Sequence, residues 1–174
     1  MKRIVVIGTS CSGKTTFGAK LSQLLKAPNI ELDDIHWRPG WIEIPDEEMR
    51  ELVVKEVEQE SWVVVGNYGF VRDIIWRRAD TIIWLNYPFR IVLYRALKRT
   101  LRRVIIKDVI CNGNVETFKR SFMSRDSILL WVLQTYHRGR RNTPQLLKNP
   151  ENDHLQVIEF RHPEEAEEFL KKKL

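Results

Sequence analysis

The feature that most constrains the fold is an eight-residue stretch close to the beginning of the chain. Residues 8–15, GTSCSGKT, match the pattern G-x-x-x-x-G-K-[ST] at every fixed position. A β-branched run at 4–7 precedes the stretch, and apolar residues at helical spacing follow it as far as 25. A glycine-rich loop between a buried strand and a helix points its backbone N–H groups at phosphate oxygens, so the pattern predicts a polyphosphate-binding loop.

The residues of this loop have separate expected roles. We expect Lys14 to reach the β- and γ-phosphates of a nucleotide and the Thr15 hydroxyl to hold Mg²⁺. Helix N-termini activate thiols, which suggests a redox role for Cys11. A small residue that fills a tight loop is the commoner explanation for a cysteine at this position. The predicted nucleotide contacts are Gly8, Ser10, Cys11, Ser12, Gly13, Lys14, Thr15 and Thr16.

Beyond the loop, stretches typical of strands alternate with stretches typical of helices. This alternation predicts an α/β protein in which helices cover both faces of a parallel sheet, and the length of 174 residues suits one domain spanning 1–174. After the first strand and helix, further strands are expected at 30–32, 62–65, 81–85 and 155–160, and further helices at 45–60, 71–78, 89–105, 115–136 and 163–174.

Positive charge is concentrated in one segment of the chain. The net charge of the chain is +6. Residues 90–141 contain thirteen Lys or Arg and three acids, a local charge of +10, so the rest of the chain is acidic. Such a segment can contact nucleic acid, or it can close over phosphates within the protein. On the predicted helix 89–105, three arginines share one face, opposite an apolar face that includes Leu97. These three are Arg95, Arg99 and Arg103.

We interpret these three arginines as catalytic lid residues. Phosphoryl transfer develops negative charge on the transferring group, and arginines on a closing segment neutralise that charge. The cluster Arg138, Arg140 and Arg141, expected after the next helix, is placed to close from the other side. Solvated surface arginines are the alternative interpretation for both groups.

The acceptor of the phosphoryl group is expected beside two acids that follow the second strand. Ligands bind at the carboxyl ends of strands in such sheets, which is where Asp33 and Asp34 lie. Asp33 can hold Mg²⁺ through water or take the proton of an acceptor hydroxyl, or it can cap a solvated turn. In the turn HWRPGW, Trp37 and Trp41 either form an aromatic wall around the acceptor or pack a long loop onto the sheet.

Several other classes of protein are not favoured. No apolar run approaches the roughly 20 residues of a membrane span, so no membrane partner is expected. The strand pattern begins almost at Met1, so no signal peptide and a cytoplasmic location are expected. Cys11 and Cys111 have neither disulfide nor zinc spacing, and the guanine-reading motif N-K-x-D of GTPases does not occur.

The order of motifs resembles one known family over nearly the whole chain. The P-loop, ELDDIHWRPGW, WVVVGNYG, RRADTIIWLNYP, RALKRTLRR and RGRR follow one another as in the adenylate-kinase-like proteins called DNA topology modulation proteins. The resemblance implies a P-loop kinase fold with sheet order 2-3-1-4-5, an Arg-rich helical lid over about 95–141, and ATP and Mg²⁺ as cofactors. It also implies that Asp33, Gly66, Asn67 and Tyr68 face the acceptor, and that Arg161 lies beside the adenine.

One departure from this family concerns the metal. Similar proteins often have an aspartate before Gly-Asn-Tyr, and here that position is Val65. Either Asp33 or Asp34 supplies the missing charge, or transfer is weak. We therefore expect a phosphotransferase that moves the γ-phosphoryl of ATP to a small acceptor such as a nucleoside or nucleotide. The alternative is a nucleotide-binding regulator associated with DNA, which contacts DNA phosphates through the basic segment and has little or no turnover.

Overall fold

The computed structural model describes residues 1–106, 109–110, 112–115 and 127–172. Its strands are β1 Arg3–Gly8, β2 Asn29–Glu31, β3 Trp37–Arg38, β4 Ile42–Glu43, β5 Trp62–Val65, β6 Thr81–Leu85, β7 Val109–Ile110, β8 Asn114–Val115 and β9 Gln156–Phe160. Its α-helices are α1 Lys14–Leu25, α2 Leu32–His36, α3 Asp46–Glu56, α4 Arg72–Arg78, α5 Phe89–Ile106, α6 Ile128–Leu147 and α7 Pro163–Lys171. Short 3₁₀ turns occupy Gly69–Val71 and Pro150–Asn152.

Five strands form one parallel sheet in the order β2-β5-β1-β6-β9. Counted along the chain, these five strands have the order 2-3-1-4-5, as the family resemblance implied. The central strand β1 is paired on both sides, with Val5 in register with Val64 and Ile82. Strands buried on both faces read as continuous apolar runs, which explains why the sheet was visible in the sequence.

Helices cover both faces of the sheet and give the predicted three layers. One core contains Phe17 and Leu21 from α1 together with Val92 from α5. The other core contains Met49 from α3 and Ile75 from α4. The α/β fold class is therefore confirmed. No helix within the described ranges is both long enough and apolar enough to span a membrane.

The first helix lies unusually close to strand β5. A Cβ atom added at Gly18 would stand only 2.2 Å from Cγ2 of Val65, so no larger residue fits there without displacing one of the two elements. Val65 is 4% exposed and belongs to the core under α1. Its side chain therefore fills space beneath the helix that begins at the P-loop.

The prediction of a helix over 115–136 is wrong at its first residue and at its end. Val115 belongs to the β7–β8 hairpin, α6 begins at Ile128, and 116–126 lie outside the described residues. At the other end α6 continues to Leu147 and includes Pro144. Proline removes only one helical hydrogen bond, and the buried Tyr136 and Thr143 hold the helix to the core. The RGRR motif consequently lies within a helix and not after it.

Two further differences affect the surroundings of the site. The hairpins β3–β4 and β7–β8 are antiparallel and separate from the main sheet. They are only two residues per strand, too short for a periodic pattern in the sequence. On α5, Leu97 was expected on the packed face and is 40% exposed, because the buried face is centred on Val92, Ala96 and Thr100.

Candidate functional site

The loop between β1 and α1 has the geometry of a phosphate cradle. Gly8 has φ 155°, and a Cβ atom there would stand 2.8 Å from both the Leu85 carbonyl oxygen and Ser12 Oγ. Glycine is therefore required where the loop leaves the strand. Gly13, with φ 98°, is the N-cap of α1, so the loop ends at the positive end of that helix.

Lys14 lies across the mouth of this cradle. Its Nζ donates a hydrogen bond to the Thr9 carbonyl oxygen at 3.1 Å, and the half-buried side chain lines the main cavity of the protein. Burial lowers the pKa of Lys14, and the nearby Asp33 carboxylate opposes that effect. A phosphate in the cradle would place further negative charge directly against this ammonium group.

The other loop residues differ in their exposure to the cavity. Gly8, Ser10 and Thr15 line it. Cys11 is buried in the core beneath the loop with φ 66°, which fits a small residue filling a tight turn. Ser12 Oγ is buried and has no hydrogen-bond partner among the described residues. Thr16 is exposed on the first turn of α1.

The acceptor end of the same cavity contains both predicted acids. Asp33 is exposed in the short helix α2, and its Oδ1 accepts a hydrogen bond of 2.7 Å from the Tyr68 hydroxyl. Burial, and then the charge of Asp33, raises the pKa of Asp34. The loop after β5 contributes Gly66 and Asn67 to the lining. The structure thus brings together all the residues that the sequence predicted for the acceptor.

Aromatic rings form one wall of this acceptor end. Trp37 and Trp41 meet edge to face at 5.5 Å between ring centroids, and Tyr68 lies 4.8 Å from His36. Phe70 continues the wall 5.9 Å from Tyr68. All five rings line the cavity, so the tryptophan turn does more than pack onto the sheet, and its contact with an acceptor stays a prediction. Such a wall provides flat apolar surface with few polar atoms.

Two asparagines of the β7–β8 hairpin form hydrogen bonds to the backbone of the tryptophan turn and of Asp34. Asn112 Nδ2 donates to the carbonyl oxygens of Asp34 at 2.6 Å and Trp37 at 2.7 Å. Asn114 accepts from the Trp41 backbone N–H at 2.8 Å and donates to the Arg38 carbonyl at 3.0 Å. Sequence reasoning missed this contact, although the Asn-Gly pair at 112–113 is a strong hairpin signal.

The arginines predicted to form a lid occupy two different kinds of position. Arg99 and Arg103 line the cavity, and Arg99 Nε is buried with no hydrogen-bond partner in the described part of the chain. Arg138 and Arg140 line the cavity from α6. Positive side chains from two helices therefore line the cavity that also contains the P-loop, and their closing over phosphates stays a prediction.

Arg95 lies behind the P-loop, outside the lining of the cavity. Its Nη1 donates to the Ser12 carbonyl oxygen at 2.6 Å, and its guanidinium carbon lies 5.2 Å from the centroid of the Tyr87 ring. This position fits support of the loop better than the predicted contact with a transferring group. Arg95 lies about one helical turn before Arg99 and two turns before Arg103 on α5, and only the packing of that helix separates their positions.

Glu31 is a site residue that sequence reasoning missed. It ends β2 in register with Val65, the position where an acid was expected. Its carboxylate accepts a hydrogen bond from the Thr15 side chain and another from Asn29 Nδ2, the latter at 3.2 Å. Burial raises the pKa of Glu31, and the Thr15 hydrogen bond opposes that effect. The acid missing from β5 thus lies on the neighbouring strand, one residue before the Leu-Asp-Asp stretch at 32–34.

The residues present fit a nucleotide and magnesium. The Thr15 hydroxyl and the Glu31 and Asp33 carboxylates offer only oxygen ligands, which Mg²⁺ prefers, and Mg²⁺ shared with phosphates uses only one or two protein carboxylates. Across the described ranges, no three His, Cys, Asp or Glu side chains gather as a metal cage. The Gly8 turn and the unpartnered Ser12 Oγ complete a cradle suited to phosphate oxygens.

Arg161, predicted beside the adenine, lies at a separate cavity of about 540 Å³. Its Nε donates to Glu159 Oε1 at 3.1 Å, and the side chain is 68% exposed. Glu159 also accepts a hydrogen bond from Asn86, which lines both cavities. An adenine contact by Arg161 stays a prediction.

The solved structures that resemble this chain share one fold. No family model matches the chain. A gluconokinase from Sinorhizobium meliloti superposes over 99% of this chain and 89% of its own, with a TM-score of 0.52 and 18% sequence identity. The chain has the fold of the P-loop kinases. Shikimate kinases from Acinetobacter baumannii, in complex with shikimate, and from Aquifex aeolicus give TM-scores of 0.55 and 0.54, each at 17% identity.

These P-loop kinase structures match along most of their length. The two shikimate kinases cover 99% and 98% of this chain, which spans 90% and 92% of theirs. In sequence, the chain is 28% identical over 131 residues to the uncharacterized protein YqaC of Bacillus subtilis. That match covers 73% of this chain and 72% of the relative. The similarity to the solved kinase structures, at 17–18% identity, is one of fold.

Proposed function

We propose that this protein is an ATP- and Mg²⁺-dependent kinase that phosphorylates a hydroxyl group of a small molecule, as a member of the DNA topology modulation group. One observation carries the proposal. A single cavity of about 1540 Å³ is lined by the P-loop, by Asp33 and by Arg99 and Arg103. The activities named for the structurally similar gluconokinase and shikimate kinases support it. Bound ATP and Mg²⁺ would supply the phosphoryl group and polarise it.

The residues of the chain would bind and orient the reactants. Lys14 and the P-loop amides hold the phosphates, while Thr15 and Glu31 hold the metal with its waters. Asp33 accepts the proton of the acceptor hydroxyl, and the hydrogen bond from Tyr68 fixes the orientation of its carboxylate. The aromatic wall of Trp37 and its neighbours excludes water from the acceptor.

The basic segment would serve the same reaction from the other side. Arg99, Arg103, Arg138 and Arg140 all line the cavity that contains the P-loop, where phosphates would bind within the protein. This arrangement supports a lid role over the alternative of a DNA-associated regulator. Arginines placed before the reaction begins stabilise developing charge without reorganising.

We expect Arg99→Ala to lower turnover by roughly 100- to 1,000-fold while changing ATP affinity less than about fivefold, because the arginine acts on charge that develops during transfer. Steady-state kinetics and an ATP titration measure the two effects. Arg90→Ala is the matched control, since Arg90 is exposed on the same helix and outside the cavity lining. Equal losses in turnover and ATP affinity would count against a lid role.

We expect Glu31→Gln to raise the Mg²⁺ concentration needed for half-maximal activity by about 10- to 100-fold, the usual cost of removing a group that orients a metal ligand. Glutamine keeps the shape and can still contact Thr15 and Asn29, so the fold should be retained. Glu51→Gln, at an exposed position of α3, is the control. An unchanged magnesium dependence would remove Glu31 from the metal site.

The function itself is tested by acceptor-stimulated ADP release. Purified protein with ATP and Mg²⁺ is mixed with nucleosides, nucleotides, sugar acids including gluconate, shikimate and other small hydroxy compounds. At least one acceptor is expected to stimulate release in the wild type and none in Lys14→Ala. Tight ATP binding with no stimulation by any compound would contradict a small-molecule kinase.

A further inference from the structure

An arginine outside the predicted sites lines the acceptor end of the cavity, and no acid within the described ranges pairs with it. Arg72 begins α4, directly after the loop that carries Asn67 and Tyr68. Its Nε is buried and has no hydrogen-bond partner in the parts of the chain that the structure describes. The remaining polar contact, from Nη2 to Asn67 Oδ1, is long at 3.5 Å. A half-buried guanidinium with such weak partners is costly to maintain.

The acids nearest in sequence do not neutralise this arginine. Asp73, its neighbour, accepts two hydrogen bonds from Arg50 at 2.9 and 2.8 Å. Arg50 also donates to the Phe70 carbonyl, so Asp73 is held on the side of α3. Burial lowers the pKa of Arg72, and no carboxylate in the described part of the chain opposes that effect. The other arginine beside the acceptor turn, Arg38, is paired with Glu48 at 2.7 Å.

The guanidinium is nevertheless held in a defined place. Its carbon lies 5.4 Å from the centroid of the buried Trp76 ring, a contact that fixes its position. The loop that leads into Arg72 also carries Tyr68, whose hydroxyl donates a hydrogen bond to Asp33. Asp33 and Arg72 both line the same cavity.

We propose that Arg72, assisted by the Asn67 amide, binds an anionic group of the acceptor while the acceptor hydroxyl lies at Asp33. This inference rests on the proposed kinase function and narrows its substrate class. The acceptor carries a phosphate or a carboxylate, and neutral nucleosides and sugars are poor substrates. A guanidinium supplies the paired donors that both anions accept. The aromatic wall then contacts the uncharged body of the same molecule.

The test compares matched charged and neutral molecules on protein whose P-loop is filled with ADP and Mg²⁺. The pairs are AMP and adenosine, UMP and uridine, and shikimate and its methyl ester. Binding is followed by the fluorescence of Trp37 and Trp41, which line the cavity. We expect a charged member to bind at least tenfold tighter than its neutral partner, and the pair that does so distinguishes phosphate from carboxylate.

Variants of Arg72 test whether the preference for charged molecules comes from this arginine. Arg72→Gln should weaken binding of the charged member by roughly 10- to 100-fold and leave the neutral member unchanged. Arg72→Lys, which keeps the charge, should lose less and provides the test if the glutamine variant unfolds. Arg77→Gln, at an exposed position of the same helix, is the control. Charged members that bind no tighter than neutral ones, or that bind Arg72→Gln as well as wild type, would overturn the proposal.

The design separates this proposal from the proposed kinase function. ADP titrations of the same variants should match wild type, because Arg72 is not part of the P-loop. The matched pairs are also titrated without ADP on Lys14→Ala, so the role of Arg72 is tested even if no nucleotide binds. Failure of nucleotide binding in the wild type contradicts the kinase, whereas equal binding of both members of every pair contradicts only the anion site.

Discussion

Lys14→Ala is expected to weaken ATP binding by roughly 100-fold or more and to abolish turnover. The ammonium group is half-buried at the mouth of the phosphate cradle, where burial already lowers the pKa of Lys14. Phosphate oxygens provide the opposite charge in a setting poor in water, where charge-assisted hydrogen bonds are strong. Alanine removes that charge from the P-loop and leaves the loop's backbone amides without it.

Calorimetric titration with ATP and Mg²⁺ measures the loss directly. Lys20→Ala is the matched control, because Lys20 is exposed on the same helix. Thermal unfolding without nucleotide should show no loss of stability, since the substitution removes a charge whose burial is unfavourable. Unchanged ATP affinity in the alanine variant would exclude this loop as the nucleotide site.

Asp33→Asn is expected to lower turnover by about 100- to 10,000-fold, the range for removing a general base, while ATP affinity stays near that of the wild type. Asparagine can still accept the hydrogen bond from Tyr68, so the side chain should keep its place. It cannot take the proton of an acceptor hydroxyl. The loss should therefore appear in turnover and not in nucleotide binding.

Single-turnover kinetics with an acceptor from the screen separates transfer from binding. Asp34→Asn is the informative companion, because Asp34 lies in the same short helix and also lines the cavity. We expect it to affect acceptor affinity more than turnover. A greater loss of turnover in Asp34→Asn than in Asp33→Asn would assign the base to Asp34.

The sheet and the P-loop were predictable because local sequence determines them. Strands such as 62–65 and 81–85 are buried on both faces, so each reads as a continuous apolar run with no competing interpretation. The P-loop requires glycine at position 8, where a side chain would collide with the backbone of the neighbouring strand β6. Such short-range requirements leave a clear pattern even in a single sequence.

The rest of the site depends on contacts between distant segments. Glu31 becomes a metal-site candidate only because β2 pairs with β5 in a register that sets it beside Val65. Arg95 and Arg99 share a helical face, and only the packing of α5 directs one behind the P-loop and the other into the cavity. Arg72 does not pair with its neighbour Asp73, because Arg50 from another helix binds that carboxylate. None of these relations leaves a periodic pattern.

The hairpin contact has a consequence for how acceptor choice can change. Asn112 and Asn114 form hydrogen bonds to main-chain atoms at position 34 and at positions 37, 38 and 41 of the tryptophan turn. Every residue except proline presents the same carbonyl and amide groups, so side chains at these positions can be exchanged while the enclosure stays intact. Substrate preference can therefore diverge among related proteins without rebuilding the scaffold, and directed evolution of new acceptors should begin at this turn.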